Sequence, residues 1–71
     1  MPADDHRVIT RLEALLDERG MTLAALADAT GVTVVNLSVL KNNRAKAIRF
    51  STLTAICDAL ACEPGDVLVL G

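Results

Sequence analysis

Residues 23–40, LAALADATGVTVVNLSVL, decide the fold of this chain. Their spacing predicts two short helices joined by a corner at Gly31, because glycine adopts a positive φ without a Cβ clash. Ala27 leaves room where the helices cross, and Leu37 and Leu40 lie three residues apart on the inner face of the second helix. This pattern is typical of a helix-turn-helix unit, which usually places its second helix in the DNA major groove. An ordinary helical hairpin with a glycine corner is the alternative.

The rest of the chain predicts an all-α fold of four to five short helices. Gly20 is expected to end the first helix in a left-handed conformation, and Thr22, Thr33 and Ser51 are expected to cap the second, third and fourth helices. The predicted segments are helices at about 7–19, 23–30, 33–42 and from Ser51 onward, with a turn or single helical turn at 63–66. The run Val8-Ile9-Thr10 could instead be extended, because β-branched residues favour strands.

Both ends of the chain are predicted to differ from this helical body, although residues 1–71 are expected to form a single domain. Residues 1–6 are polar and are expected to be flexible. Residues 67–70 are all apolar and predict a short strand that needs cover on both faces. That strand could pair with Val8-Ile9-Thr10 in the same chain or with a second copy. We favour pairing of this strand with a second copy, and the chain is therefore expected to form a homodimer.

The charges are strongly segregated along the chain. The formal net charge is −2, but every acidic residue lies at or before Asp28 or at or after Asp58. Four bases and no acid fall between them: Lys41 lies near the end of the second helix of the predicted unit, and Arg44, Lys46 and Arg49 lie in the loop after it. Phosphates respond to such a local basic patch rather than to the net charge. The alternative is a solvated basic loop that binds nothing.

Two further segments carry a family resemblance. Residues 53–68, LTAICDALACEPGDVL, and the loop 41–50, KNNRAKAIRF, resemble a compact bacterial subgroup of the Cro and lambda-repressor-like (xenobiotic-response-element) regulators. The resemblance covers about residues 8–70. It implies a lambda-repressor-like fold and sequence-specific binding to double-stranded DNA, commonly as a dimer. Three positions depart from the family pattern: Leu23 replaces a DNA-contacting glutamine, Thr30 replaces an apolar residue, and Asn43 replaces a glycine.

The DNA contacts are predicted on the third helix and the loop after it. Asparagines can bond adenine edges, and the basic side chains can contact phosphates. Val35 and Val39 are expected to face outward, where they could contact thymine methyl groups, bind a protein, or be scattered surface residues. The predicted DNA-binding residues are Thr33, Val34, Val35, Asn36, Ser38, Val39, Lys41, Asn42, Asn43, Arg44, Lys46 and Arg49.

Neither catalysis nor metal binding is indicated. Cys57 and Cys62 are expected to be free thiols, with a redox switch as the alternative, and His6 is too distant in sequence to complete a zinc site. No cofactor, catalytic residue or small-molecule ligand is expected. The sequence therefore predicts a cytoplasmic, non-enzymatic, dimeric transcriptional regulator, a repressor in the simplest mechanism. The alternative is an antitoxin-like protein-interaction module that uses the valine face of the third helix.

Overall fold

The computed structural model describes residues 6–71 and contains five helices and two short strands. The predicted flexible segment 1–6 therefore lies, apart from His6, outside the described residues. In chain order the elements are β1 (Val8–Thr10), α1 (Leu12–Arg19), α2 (Leu23–Thr30), α3 (Val34–Lys41), α4 (Phe50–Leu60), α5 (Pro64–Val67) and β2 (Leu68–Leu70). The prediction of a mainly helical, helix-turn-helix fold is confirmed.

Helices α2 and α3 form the predicted helix-turn-helix unit. They meet at 120° across Gly31, whose φ of +75° is the left-handed value that the corner requires. Leu26 and Leu37 are completely buried between the helices, and Leu40 is nearly so. Two of the three predicted N-caps are confirmed: the Thr22 hydroxyl accepts from the Ala25 amide at 3.1 Å, and the Thr33 hydroxyl accepts from the Asn36 amide at 3.2 Å.

Two predicted helix starts are wrong. The first helix begins at Leu12 rather than near Arg7, because Val8–Thr10 is a strand, as the alternative interpretation allowed. Gly20 ends this helix with a φ of +62°, as predicted. The fourth helix begins at Phe50, with Arg49 as its N-cap residue and no side-chain cap, so Ser51 lies inside the first turn instead of capping it.

The apolar tail pairs within the chain. Strand β2 runs antiparallel to β1, with Val8 opposite Leu70 and Thr10 opposite Leu68. The in-chain alternative is therefore confirmed, and a role of the tail in pairing with a second copy stays a prediction; the pair still exposes Val8, Ile9 and Leu70. We refer to β1 and β2 together as the β-ribbon.

The β-ribbon is attached to the end of α3 by two hydrogen bonds. The Thr10 hydroxyl donates to the Leu40 carbonyl at 2.9 Å, and the Thr10 amide donates to Oδ1 of Asn43 at 2.7 Å. Asn43 has a φ of +59°, so it takes the left-handed conformation that asparagine tolerates best after glycine. The loop after α3 is thus held between the ribbon and α4.

The two cysteines meet at the end of α4. The Cys62 amide donates to the Cys57 carbonyl at 3.0 Å, which is the closing bond of a Schellman turn, and Ala61 takes the left-handed position in it. Apolar contact between these two positions commonly accompanies that turn. Both thiols are free, with Cys57 buried and Cys62 half-buried.

Among the helices within residues 6–71, no single one is long and apolar enough to cross a membrane. Helices α2 and α3 reach that length and composition only when counted together, and the 120° bend separates them.

Candidate nucleic-acid interface

Helix α3 buries one side and exposes the other. Leu37 and Leu40 face the core, whereas Val35 is 71% exposed and Asn36 and Asn42 are also exposed. Of the twelve residues predicted to contact DNA, only Ser38 and Lys41 are half-buried; the rest are exposed. The outward edge of the helix is therefore open to a partner along most of its length.

A groove of about 600 Å³ lies beside this edge, between α3, the loop after it and the start of α4. We call it the basic groove. It brings together six of the predicted residues: Thr33, Asn36, Val39, Arg44, Lys46 and Arg49. Within residues 6–71, no acidic side chain lines it. Three cationic side chains from a stretch without carboxylates therefore share one concave surface.

Two helix N-termini also border the basic groove. Thr33 caps α3, and Thr52 lies in the first turn of α4. The side chain of the N-cap residue Arg49 makes no hydrogen bond to the first turn of α4, so it leaves the amides of that turn available to a partner. Helix N-termini carry partial positive charge and bind phosphate groups through such amides. Together with the cations, this geometry suits the phosphate backbone of a nucleic acid.

The other predicted residues lie outside the groove. Val34, Val35 and Lys41 are not among its lining residues. The Asn42 side-chain amide donates to the Ser38 hydroxyl at 3.2 Å, so these two side chains are bonded to each other in the free protein. Asn43 is engaged with the β-ribbon. The structure therefore gives Asn43 a role in the fold, and its contact with DNA stays a prediction.

Sequence reasoning missed two residues at this surface. Thr52 lines the basic groove. Phe50, the only Phe, Tyr or Trp in the chain, directly follows the groove residue Arg49 in sequence, and its side chain is 85% exposed. Both were missed because the fourth helix was expected to begin after Ser51. A start at Phe50 places them in the first turn, next to Arg49. The local sequence signal favours the later start, since Ser51 is a good N-cap residue and Arg49 is not.

The cysteine region differs chemically from this interface. Burial raises the pKa of the Cys57 thiol, and Cys62, Glu63 and Asp58 raise it further. The thiol form is therefore favoured, which is the opposite of the activation that a nucleophilic cysteine needs. Within residues 6–71, no three histidine, cysteine or carboxylate side chains are arranged to hold a metal ion.

Comparison with known proteins gives a matching family model, a related protein and a similar solved structure. The model of a family described as the Cro/C1-type HTH DNA-binding domain matches residues 11–70. An uncharacterized HTH-type transcriptional regulator of Bacillus subtilis strain 168, YozG, is 51% identical over 61 residues, which cover 86% of this chain and 73% of that protein. The crystal structure of the transcriptional regulator VanUg matches with a TM-score of 0.75 and 28% identity, covering 97% of this chain and 92% of that one.

Proposed function

Because the chain belongs to the Cro/C1-type helix-turn-helix DNA-binding family, we propose that it reads duplex DNA through α3 and regulates transcription as a homodimer. The assignment as a DNA-binding transcriptional regulator follows from the family and from the relatives. The residues in contact, the dimer and the direction of regulation are our proposal. The observation that carries it is the open edge of α3 beside the basic groove.

The phosphate contacts are assigned to the basic groove. Arg44, Lys46 and Arg49 supply charge, and the starts of α3 and α4 supply backbone amides. These contacts fix the position of the domain on DNA but carry no sequence information of their own. We therefore expect their loss to weaken binding to all sequences by a similar factor.

Sequence is proposed to be read by the exposed edge of α3. Val35 and Val39 can contact thymine methyl groups, and Asn36 can bond an adenine edge. Asn42 can also bond an adenine edge once its side-chain amide releases the Ser38 hydroxyl. A homodimer would place two such helices in successive major grooves about 34–36 Å apart. Occupying that site blocks polymerase, so repression is the simplest outcome.

We propose no enzymatic activity for residues 1–71, which we treat as one DNA-binding domain, and a cytoplasmic location, where bacterial DNA is found. The proposal involves double-stranded DNA and a second copy as partners, without a cofactor or metal ion. It uses no residue that would have to act as a nucleophile or base.

The proposal is tested by selecting binding sites from a random duplex library and then sizing the bound complex. We expect enrichment of a two-fold site that contains A·T pairs, bound by two chains. Arg44→Ala with Lys46→Ala should weaken all duplexes alike, whereas Val35→Ala should change the selected sequence. Failure to enrich any site, together with loss of a protein partner in Val35→Lys, would favour the protein-interaction alternative.

A further inference from the structure

The two cysteines of the chain meet at the turn that joins α4 to α5. Cys57 lies in the last turn of α4, and Cys62 follows the helix. We call these two residues the thiol pair. The thiol pair does not line the basic groove, so the proposed function makes no use of it. We propose that the thiol pair is a modification site, at which Cys57 and Cys62 form a reversible disulfide bond by exchange with a small-molecule disulfide.

The backbone brings the thiol pair within the span of a disulfide. The Cys62 amide donates to the Cys57 carbonyl at 3.0 Å. The Cα of Cys57 is about 2.4 Å from its own carbonyl oxygen, and the Cα of Cys62 is about 1.5 Å from its own amide nitrogen. The two Cα atoms are therefore at most about 6.9 Å apart, and only pairs beyond about 7 Å cannot be bridged without backbone movement.

The two side chains also lie on the same side of the turn. The left-handed conformation of Ala61, with a φ of +52°, turns the chain back so that the positions of the thiol pair can touch, as is common in a Schellman turn. Both thiols line one open cavity beside the turn. Burial raises the pKa of the Cys57 thiol, and the Cys62 side chain raises it further, which requires the two sulfur atoms to be neighbours.

The exposure of the two thiols assigns the order of the steps. Cys62 is half-buried, so its thiolate reacts first: it attacks one sulfur of the reagent RSSR, forms a mixed disulfide on Cys62 and releases RS⁻. Cys57 is only 7% exposed, so an external reagent does not reach it readily. Its thiolate instead attacks the Cys62 sulfur, forms the bond within the thiol pair and releases the second RS⁻. The protons of the two cysteines pass to the released thiolates, so RSSR is reduced to two RSH.

The raised pKa of Cys57 is compatible with this order. It makes Cys57 a poor nucleophile toward a reagent in solution. The second step is intramolecular, however, and holding the reacting atoms together compensates for a small thiolate fraction. Excess thiol reverses both steps by the same exchange, so the bond is transient in a reducing compartment.

The bond closes a turn whose far side is already anchored. Helix α5 ends at Val67, which is buried, and the Val67 carbonyl accepts from the Arg11 amide at 2.7 Å. Oxidation therefore joins two segments that the fold already holds in place, and we expect it to stabilise the folded chain. The reaction needs neither DNA nor a second copy, so its outcome is independent of the proposed function.

The test compares the folded and unfolded forms of the same chain. The full chain is equilibrated with bis(2-hydroxyethyl) disulfide and 2-mercaptoethanol at several ratios, with and without denaturant, and intact mass separates the reduced chain, the mixed disulfides and the internal disulfide. We expect the internal disulfide to be favoured about tenfold or more in the folded chain, because the fold holds the two sulfur atoms together. An equal or smaller preference in the folded chain, or a reaction that stops at the mixed disulfide, would overturn the site.

The Cys62→Ser variant tests the order of the steps. It keeps the buried thiol and removes the accessible one, so the folded variant should form a mixed disulfide at least about tenfold more slowly than the unaltered chain. In denaturant, the variant and the unaltered chain should begin to react at similar rates per thiol. Equally fast modification of the folded variant would show that Cys57 is attacked directly, which contradicts the proposed order.

Discussion

Removing one cation from the basic groove should change the salt dependence of DNA binding by a predictable amount. Arg44 is exposed and lines the groove together with Lys46 and Arg49. Each phosphate contact on duplex DNA contributes about −0.9 to the slope of log affinity against log salt concentration. Three contacts per chain and two chains per site give a slope of about −5 for the unaltered protein.

The Arg44→Ala substitution removes two contacts from a dimer, so the slope should become less steep by about 1.8. Between 50 and 200 mM salt, the unaltered protein should lose affinity by about two thousandfold, whereas the variant should lose about 150-fold. A single bound chain would change the slope by only about 0.9. The measurement therefore reports both the role of the groove and the number of chains at the site.

The assay is fluorescence anisotropy of a labelled selected duplex at five or six salt concentrations. Arg11→Ala is the control, because Arg11 is an exposed base that does not line the groove. It should leave the slope unchanged within error. Equal slopes for Arg44→Ala and the unaltered protein, or equal changes in both variants, would show that the phosphates lie elsewhere.

Four further predictions concern stability and thiol chemistry. Gly31→Ala should lower the free energy of unfolding by about 1–2 kcal/mol in a denaturant titration, although nothing lies within 4 Å of the added methyl, because the cost arises from the φ of +75°. Thr33→Ala should cost about 1 kcal/mol in the same titration through loss of the α3 cap. Asn43→Ala should be more destabilising than Asn43→Gly by about 1 kcal/mol, since glycine loses the bond to the ribbon but relieves the positive φ. Alkylation should modify Cys62 before Cys57, because Cys57 is buried and Cys62 is half-buried. Because the pKa of Cys57 is raised in the folded state, the free energy of unfolding should not depend on that thiol below about pH 9 and should fall at higher pH.

The sequence was sufficient for the helix-turn-helix because its signals are local. A threonine before an apolar run caps a helix through an amide three residues away, and a glycine determines a corner through its own φ. Thr22, Thr33 and Gly31 therefore behave as predicted. Leu26 and Leu37 are buried for a similar reason, since helical spacing alone places them on the inner face.

Local signals could not predict where the first helix begins or which segment the tail pairs with. Whether Val8–Thr10 is helical or extended depends on β2, which lies some sixty residues away in the chain. Pairing with β2 overrides the weak helical preference of this segment.

The candidate site also divides into features that local sequence predicts and features that depend on distant contacts. The charge segregation predicted the cations of the groove, but the role of Asn43 depends on its contact with Thr10, which no local pattern encodes.

Pairing of β2 with β1 within the chain also determines the structure of the loop after α3. Pairing within the chain places Thr10 where its amide and hydroxyl bind Asn43 and Leu40, at the end of the helix proposed to read DNA. The same pairing places Val8 and Leu68 beside Ala45 and Ile48 of the loop, and all four line one cavity of about 240 Å³. A tail that paired only with a second copy would leave this side of the loop open. Anchoring of the loop and the presence of this cavity therefore have one structural cause, the antiparallel pairing of β1 with β2.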